Sequence, residues 1–106
     1  MTLEQLYNRC YSKSVPYAYG KFTAPVMPPH LVAITTSTEN FKADNIVWGK
    51  KTPIKLDYTY ITKDLTLEAT IENQILFDVA WDKTDEIYLE DEDVFQVSYY
   101  FDIIGG

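Results

Sequence analysis

Apolar and polar residues alternate in two long stretches of the chain, and this period of two predicts two strands. From Pro53 to Thr62 the apolar positions are Ile54, Leu56, Tyr58 and Tyr60. From Val94 to Ile104 they are Phe95, Val97, Tyr99, Phe101 and Ile103. We expect both strands to turn these apolar side chains toward one core and the intervening polar side chains toward the opposite face.

A helical period follows the first of these strands. Leu67, Ile71 and Ile75 recur every four residues, which is typical of an amphipathic helix. Asp64 precedes them and is a candidate N-cap, because its carboxylate can accept bonds from the unpaired N–H groups of the first turn. The segment from Asp64 to Ile75 is therefore predicted to be a helix.

A second helix is predicted at the start of the chain. Thr2 and Gln5 have the spacing of a capping box. The helix should end near Ser12, because Val15 precedes Pro16 and a residue before proline avoids the α region. One stripe of this helix is expected to face the core, and it consists of Leu3, Leu6, Tyr7, Cys10 and Tyr11.

Shorter segments complete the predicted sheet. Val15–Phe22 and Leu31–Thr36 are predicted strands, joined by a stiff connector that carries three prolines, Pro25, Pro28 and Pro29. Asp44 and Asn45 tolerate the positive φ of a tight turn, so the segment 41–48 is a predicted hairpin. After the second helix, Phe77–Trp81 is expected to be a loop or an edge strand, and Ile87–Leu89 a short strand.

Together these elements predict an α+β fold. We expect a mainly antiparallel sheet of four to five strands, packed by two helices on one side, with the Phe41–Trp48 hairpin projecting from it. The length of 106 residues favours a single domain over residues 1–106.

The distribution of charge adds a functional clue. Residues 1–63 contain eight basic and four acidic residues, a net charge of +4, whereas residues 64–106 contain one basic and twelve acidic residues, a net charge of −11. The excess of carboxylates disfavours general nucleic-acid binding, which needs Lys and Arg. The split fits either a solvated acidic face or self-association through unlike edges. The densest acidic patch is a predicted turn formed by Glu90, Asp91, Glu92 and Asp93.

The sequence contains no recognisable catalytic constellation. His30 is the sole histidine, with no carboxylate close in sequence, and Cys10, the sole cysteine, is expected to be a small buried hydrophobe. The acidic turn lacks the glycine and ligand spacing of a helix–loop–helix calcium site. We therefore expect no enzyme activity, metal or cofactor. A signal peptide and a membrane span are not expected either, which favours the cytoplasm.

Aromatic residues in turn-rich segments are either caps of the core or anchors of an interface, because Tyr and Trp dominate binding hot spots. If they are anchors, polar neighbours in the same turns would join them. The predicted contact residues are then Tyr17, Tyr19, Phe41, Asp44, Asn45 and Trp48.

Several short motifs, taken in order along nearly the whole chain, resemble one family. The segments that carry the resemblance are Pro16–Tyr19, Pro28–Pro29, Asn40–Asn45 with Val47, Lys55–Thr59, Lys63–Asp64 with Leu67–Glu68, and Val97–Phe101. In this order they are similar to tail terminator (tail completion) proteins from the head–tail joining region of long-tailed phages and prophages of Gram-positive hosts. Leu65 departs from the pattern, in which a proline is expected after Asp64.

The resemblance implies a structural role. Proteins of this family form a hexameric ring that caps the tail tube and docks on the head connector. The implied partners are copies of this chain, the tail tube protein and head connector proteins, with assembly in the host cytoplasm and a final place at the head–tail interface of the virion. A ring lumen lined by the Glu90–Asp93 carboxylates would repel DNA phosphates. The alternative hypothesis is an acidic inhibitor or DNA mimic that blocks a nucleic-acid-binding protein.

Overall fold

The computed structural model describes residues 1–36 and 51–104, which form an α+β fold with two helices and a mixed six-stranded sheet. This confirms the predicted fold class, although the sheet has one strand more than expected. The predicted Phe41–Trp48 hairpin lies outside the described residues. The elements in chain order are α1 Leu3–Ser12, β1 Tyr17–Tyr19, β2 His30–Thr35, β3 Lys51–Tyr60, α2 Leu65–Thr70 followed by a π-helical turn Ile71–Ile75, β4 Asp82–Lys83, β5 Ile87–Leu89, and β6 Val94–Ile104.

The two strands with the clearest alternation lie side by side at the centre of the sheet. β3 and β6 pair in antiparallel register from Lys51↔Ile104 to Tyr60↔Phe95. β2 lies antiparallel on the other side of β3, and β1 adds parallel to β2. β4 and β5 both pair with β6 on the side away from β3. Among the described strands, β1 therefore forms one edge of the sheet and β4 and β5 form the other.

One face of the sheet forms the core together with both helices. The predicted apolar positions of β3 and β6 lie on this face, and Leu56 and Tyr99 form a directly opposed pair at 0% exposure. Leu6 and Cys10 of α1 and Ile71 and Ile75 of the π-helical turn are also fully buried in this cluster. Burying one aliphatic side chain contributes about 1.5–3 kcal/mol. Because β3 and β6 bury several of them, the two central strands supply much of the fold's stability.

Helix α1 follows the prediction at both ends but not across its whole stripe. Thr2 and Gln5 form the predicted capping box, and the helix ends at Ser12. The prediction that Tyr7 and Tyr11 face the core is wrong, because these rings are 52% and 75% exposed. Both lie one position beyond a buried residue along the helix, at the rim of the apolar stripe, and a tyrosine can keep its polar tip in water there.

The predicted second helix is capped as expected but changes its winding. The Asp64 carboxylate accepts hydrogen bonds from the backbone N–H groups of Thr66 and Leu67. The α-helix ends at Thr70, and the Leu76 N–H then bonds to the Ile71 carbonyl five residues earlier. This π-helical turn inserts one residue per turn. As a result Ile71, Ile75 and the adjacent Leu76 are all fully buried.

The predicted first strand, Val15–Phe22, is too long. β1 contains only Tyr17–Tyr19, because Pro16 lacks the donor that a ladder needs and Gly20 has φ +87°. Phe77–Trp81 is a loop, which is one of the two predicted alternatives, and the ladder begins after it at Asp82. The predicted strands at Ile87–Leu89 and Val94–Ile104 have the expected bounds.

Candidate functional site

The first candidate surface is the β1 edge of the sheet. The Pro16 carbonyl accepts a hydrogen bond from Leu31, and the Gly20 N–H donates to Ala33, so alternate residues of β1 turn their backbone toward β2. Tyr17 and Tyr19 alternate with these residues along the strand. Their N–H and C=O groups therefore point away from the sheet. Within residues 1–36 and 51–104 no strand pairs with them, so they can bind another strand.

Three tyrosines, Tyr7, Tyr17 and Tyr19, line a groove of about 400 Å³ between α1 and β1. Tyr7 stacks on Tyr11 with ring centroids 6.2 Å apart. It also meets the Tyr17 ring edge-on, again at 6.2 Å. Tyr19 is 50% exposed at the outer end of the groove. The groove therefore presents large apolar area on side chains with few rotatable bonds, which is typical of contact surfaces.

The two tyrosines of β1 are held in place by different contacts. Burial raises the pKa of Tyr17 to about 12, with smaller contributions from Cys10 and Tyr19, so its hydroxyl keeps its proton at neutral pH. The Tyr19 hydroxyl is hydrogen-bonded to the Thr35 hydroxyl on β2. Cys10 lies on the buried face of α1, and burial raises the pKa of its thiol to about 12, which disfavours the reactive thiolate.

Basic side chains flank the β1 edge. Lys13 and Lys21 are exposed on either side of the strand. Arg9 is engaged elsewhere, because its guanidinium donates to both carboxylate oxygens of Asp78 at 2.7 and 2.9 Å and to the Ile75 carbonyl at 3.0 Å. Lys13 and Lys21, unlike Arg9, are therefore placed to contact a partner.

The second candidate surface is the opposite edge, formed by β5 and β4. Ile87 and Tyr88 on β5 are 51% and 49% exposed. The Tyr88 ring packs on Phe95, with centroids 5.2 Å apart, and Phe95 stacks on the buried Tyr60 at 5.8 Å. The exposed apolar side of this edge is therefore supported by the core.

Exposed carboxylates lie on both sides of β5. Asp85 and Glu86 precede it, and the acidic patch Glu90–Asp93 follows it in the turn to β6. This turn is closed by a hydrogen bond from the Asp93 N–H to the Leu89 carbonyl at 2.8 Å. Asp93 has φ 56°, and its carboxylate accepts a hydrogen bond from the Tyr88 hydroxyl at 2.5 Å. The predicted acidic turn is thus a defined structure with exposed charges.

Part of the negative charge near this edge is neutralised internally. Lys83 of β4 contacts Glu68 at 2.8 Å and Glu72 at 2.7 Å, and Lys63 contacts Glu86 at 3.2 Å. Burial by itself would raise the pKa of Glu68, but hydrogen bonds from Lys83 and Lys63 hold it below its ordinary value. These ion pairs tie β4 to α2. The exposed carboxylates of this edge that have no ion pair among the described residues are Asp82, Asp85 and those of the Glu90–Asp93 turn.

A concave site lies near the end of β3 and has a different character. A cavity of about 630 Å³ is lined by residues that include Pro29, Tyr58, Tyr60 and Leu65. The Tyr58 and Tyr60 hydroxyls are buried and have no hydrogen-bond partner among the described residues. His30 lies on the other face of the sheet, opposite Thr59, so it does not join this cavity.

His30 has the environment of a packed aromatic side chain. Its ring lies edge-on to Phe22, with centroids 5.2 Å apart, and burial lowers its pKa. Within residues 1–36 and 51–104, no group of three or more His, Cys, Asp or Glu side chains is arranged to hold a metal ion. No helix in the described part of the chain combines the length and apolarity needed to cross a bilayer.

The contact residues predicted from the sequence fall into three groups. Tyr17 and Tyr19 lie together on the β1 edge, whereas the Glu90–Asp93 patch lies beside β5 at the opposite edge of the same sheet. The remaining predicted contact residues, Phe41, Asp44, Asn45 and Trp48, lie outside the described residues.

Four exposed residues of these edges escaped sequence reasoning, namely Tyr7, Tyr11, Ile87 and Tyr88. Their only sequence signal is the spacing of Tyr7 and Tyr11 by one helical turn, which also fits a buried stripe. The sequence matches no protein-family model, and a search of curated proteins returns no similar sequence.

Proposed function

We propose that this protein is a non-enzymatic structural subunit of a phage head–tail interface, a tail terminator-like protein that forms a ring on the tail tube. Copies of the chain are its first partners, and the tail tube protein and head connector proteins are its others. It assembles in the host cytoplasm and ends at the head–tail interface of the virion. The family resemblance supplies the phage context, and the placement of the two sheet edges supports the ring.

One observation carries the proposal. β1, with its tyrosines and flanking lysines, forms one edge of the sheet, and β5, with exposed apolar residues and flanking carboxylates, lies at the opposite edge. A subunit with two unlike, complementary edges associates head to tail, and such association closes into a ring when the rotation between copies allows it. The number of subunits is expected from the resemblance to be six.

The alternative, an acidic DNA mimic, has less support. A mimic needs an unbroken track of carboxylates at the spacing of phosphates. Glu68 and Glu72 are instead paired with Lys83, which interrupts the negative surface next to the β4 edge. Tight binding to a basic nuclease would favour this alternative.

Electron microscopy of a phage that lacks this protein tests the proposed function. We expect tails of unregulated length that do not join heads, because nothing caps the growing tube. Complementation with the wild-type chain should restore both defined length and joining. Tails of normal length attached to heads in the absence of the protein would refute the proposal.

A further inference from the structure

We propose that copies of this chain dock edge to edge, with β1 of one copy pairing with β5 of the next, so that the sheets of neighbouring subunits become continuous. This inference rests on the proposed ring and names the surfaces that form it. It requires an open strand at each edge, apolar contacts beside the strands and charges that fix the pairing.

The backbone requirement is met at β1. Tyr17 and Tyr19 direct their N–H and C=O groups outward, and in the described part of the chain β1 pairs with β2 alone. β5 is the outermost strand at its end of the sheet, since it pairs with β6 alone among the described residues. Both strands contain three residues, so they can pair along their whole length.

The side chains at the two edges are of matching size and polarity. Tyr19 at one edge and Ile87 and Tyr88 at the other are each about half exposed. Pairing would remove apolar area from water on both strands, and aromatic residues opposite β-branched ones are favourable cross-strand pairs. Tyr17 and Tyr88 are both anchored by packing against other rings, so little side-chain freedom is lost on docking.

The charges favour pairing between unlike edges over pairing between like ones. Lys21 lies two residues beyond β1. Exposed carboxylates with no ion pair among the described residues lie within two residues of β5 at both ends, namely Asp85 before it and Glu90 and Asp91 after it, whereas Glu86 is held by Lys63 at 3.2 Å. Lys21 therefore meets one or more of these carboxylates in either strand direction, Asp85 if the strands are antiparallel and Glu90 and Asp91 if they are parallel. Two β5 edges facing each other would instead bring like charges together, which disfavours that association.

Charge reversal and compensation test the docking by sedimentation velocity, on the protein alone and on tail tubes purified from the phage that encodes it. We expect Lys21→Glu to weaken association at least tenfold at low salt. Combining it with Asp85→Lys should restore association if the strands are antiparallel, and combining it with Glu90→Lys and Asp91→Lys should restore it if they are parallel. Lys51→Glu, the same charge change on the exposed end of a central strand, is the matched control and should associate like the wild type.

The outcomes separate this inference from the proposed function. Rescue by either set of compensating changes supports the docking and gives its strand direction. The edge-to-edge docking is wrong if Lys21→Glu associates like the wild type or if neither set of compensating changes rescues it. It is also wrong if the wild type stays monomeric both alone and on tubes. Tail length in the phage that lacks the protein judges the ring function independently. Circular dichroism checks that each variant is folded.

Discussion

The buried hydroxyl of Tyr58 tests what an unpaired polar group in the core costs in stability. Its side chain is 1% exposed, and the hydroxyl has no hydrogen-bond partner among the described residues. Burying a hydroxyl without a partner costs about 1–3 kcal/mol in proteins. Tyr58→Phe removes that hydroxyl and keeps the ring. We therefore expect the substitution to raise the free energy of unfolding by about 1 kcal/mol, or roughly 4 °C in Tm for a domain of this size.

Tyr99 is the matched control on the neighbouring strand. It is 0% exposed, but its hydroxyl donates to the Glu72 carboxylate at 2.8 Å. Hydrogen bonds to charged groups contribute about 1.5–3 kcal/mol. Tyr99→Phe should therefore lower the free energy of unfolding by about 2 kcal/mol. The same chemical change, made on directly neighbouring strands of one core, is expected to have opposite signs.

Urea unfolding followed by circular dichroism and tryptophan fluorescence measures both effects. Trp81 reports on the Tyr99 region, because its ring lies edge-on to Tyr99 with centroids 5.4 Å apart. The slopes of the unfolding curves should be equal in the wild type and both variants, so that shifts in midpoint reflect stability alone. If Tyr58→Phe destabilises the protein as much as Tyr99→Phe does, the Tyr58 hydroxyl has a partner and the reasoning is refuted.

Three further predictions concern other parts of the fold. Lys83→Met should lower the free energy of unfolding by about 3 kcal/mol at neutral pH, because it leaves the buried Glu68 with Lys63 as its single cation. The control is Lys55→Met on the sheet's other face, where Lys55 contacts Asp57 at 3.8 Å, and it should cost less than about 1 kcal/mol. The difference in free energy of unfolding between the wild type and Lys83→Met should shrink as the pH falls through the lowered pKa of Glu68, because protonation of Glu68 removes the ion pair from the wild type as well. A difference that does not change with pH would contradict this. Gly20→Ala should cost about 1 kcal/mol in thermal unfolding, because φ +87° strains any residue with a Cβ even though the space there is open, and an unchanged Tm would contradict it. Burial, followed by the charges of Asp64 and Glu68, raises the pKa of Tyr58 to about 12, whereas the unfolded chain loses that proton near the ordinary value of about 10. The free energy of unfolding should therefore fall as the pH rises from about 10 to 12. Tyr58→Phe should reduce this fall, and an equal fall in the variant would contradict it.

Local patterns were sufficient for the elements whose signals lie within one segment. The alternation in β3 and β6 predicted which face of each strand is buried, because a period of two places alternate side chains on one side whatever the strand pairs with. The capping box at Thr2 and the cap at Asp64 were predicted for the same reason, since each bond joins residues within one turn. The acidic turn at Glu90–Asp93 and the start of β6 at Val94 belong to this class as well.

Tertiary structure decided everything that depends on distant partners. No local signal places β1 parallel to β2 or puts β4 and β5 together beyond β6, because strand order depends on which long-range pairs bury the most apolar surface. The exposure of Tyr7 and Tyr11 depends on how α1 packs on the sheet, which buries Leu6 and Cys10 and leaves the two tyrosines at the rim. The Lys83 pairs with Glu68 and Glu72 join residues eleven or more positions apart, and only the folded chain brings them together. The two unlike edges on which the proposed assembly depends are therefore a product of topology, because the charged and aromatic residues were visible in the chain while their placement on opposite sides of one sheet was not.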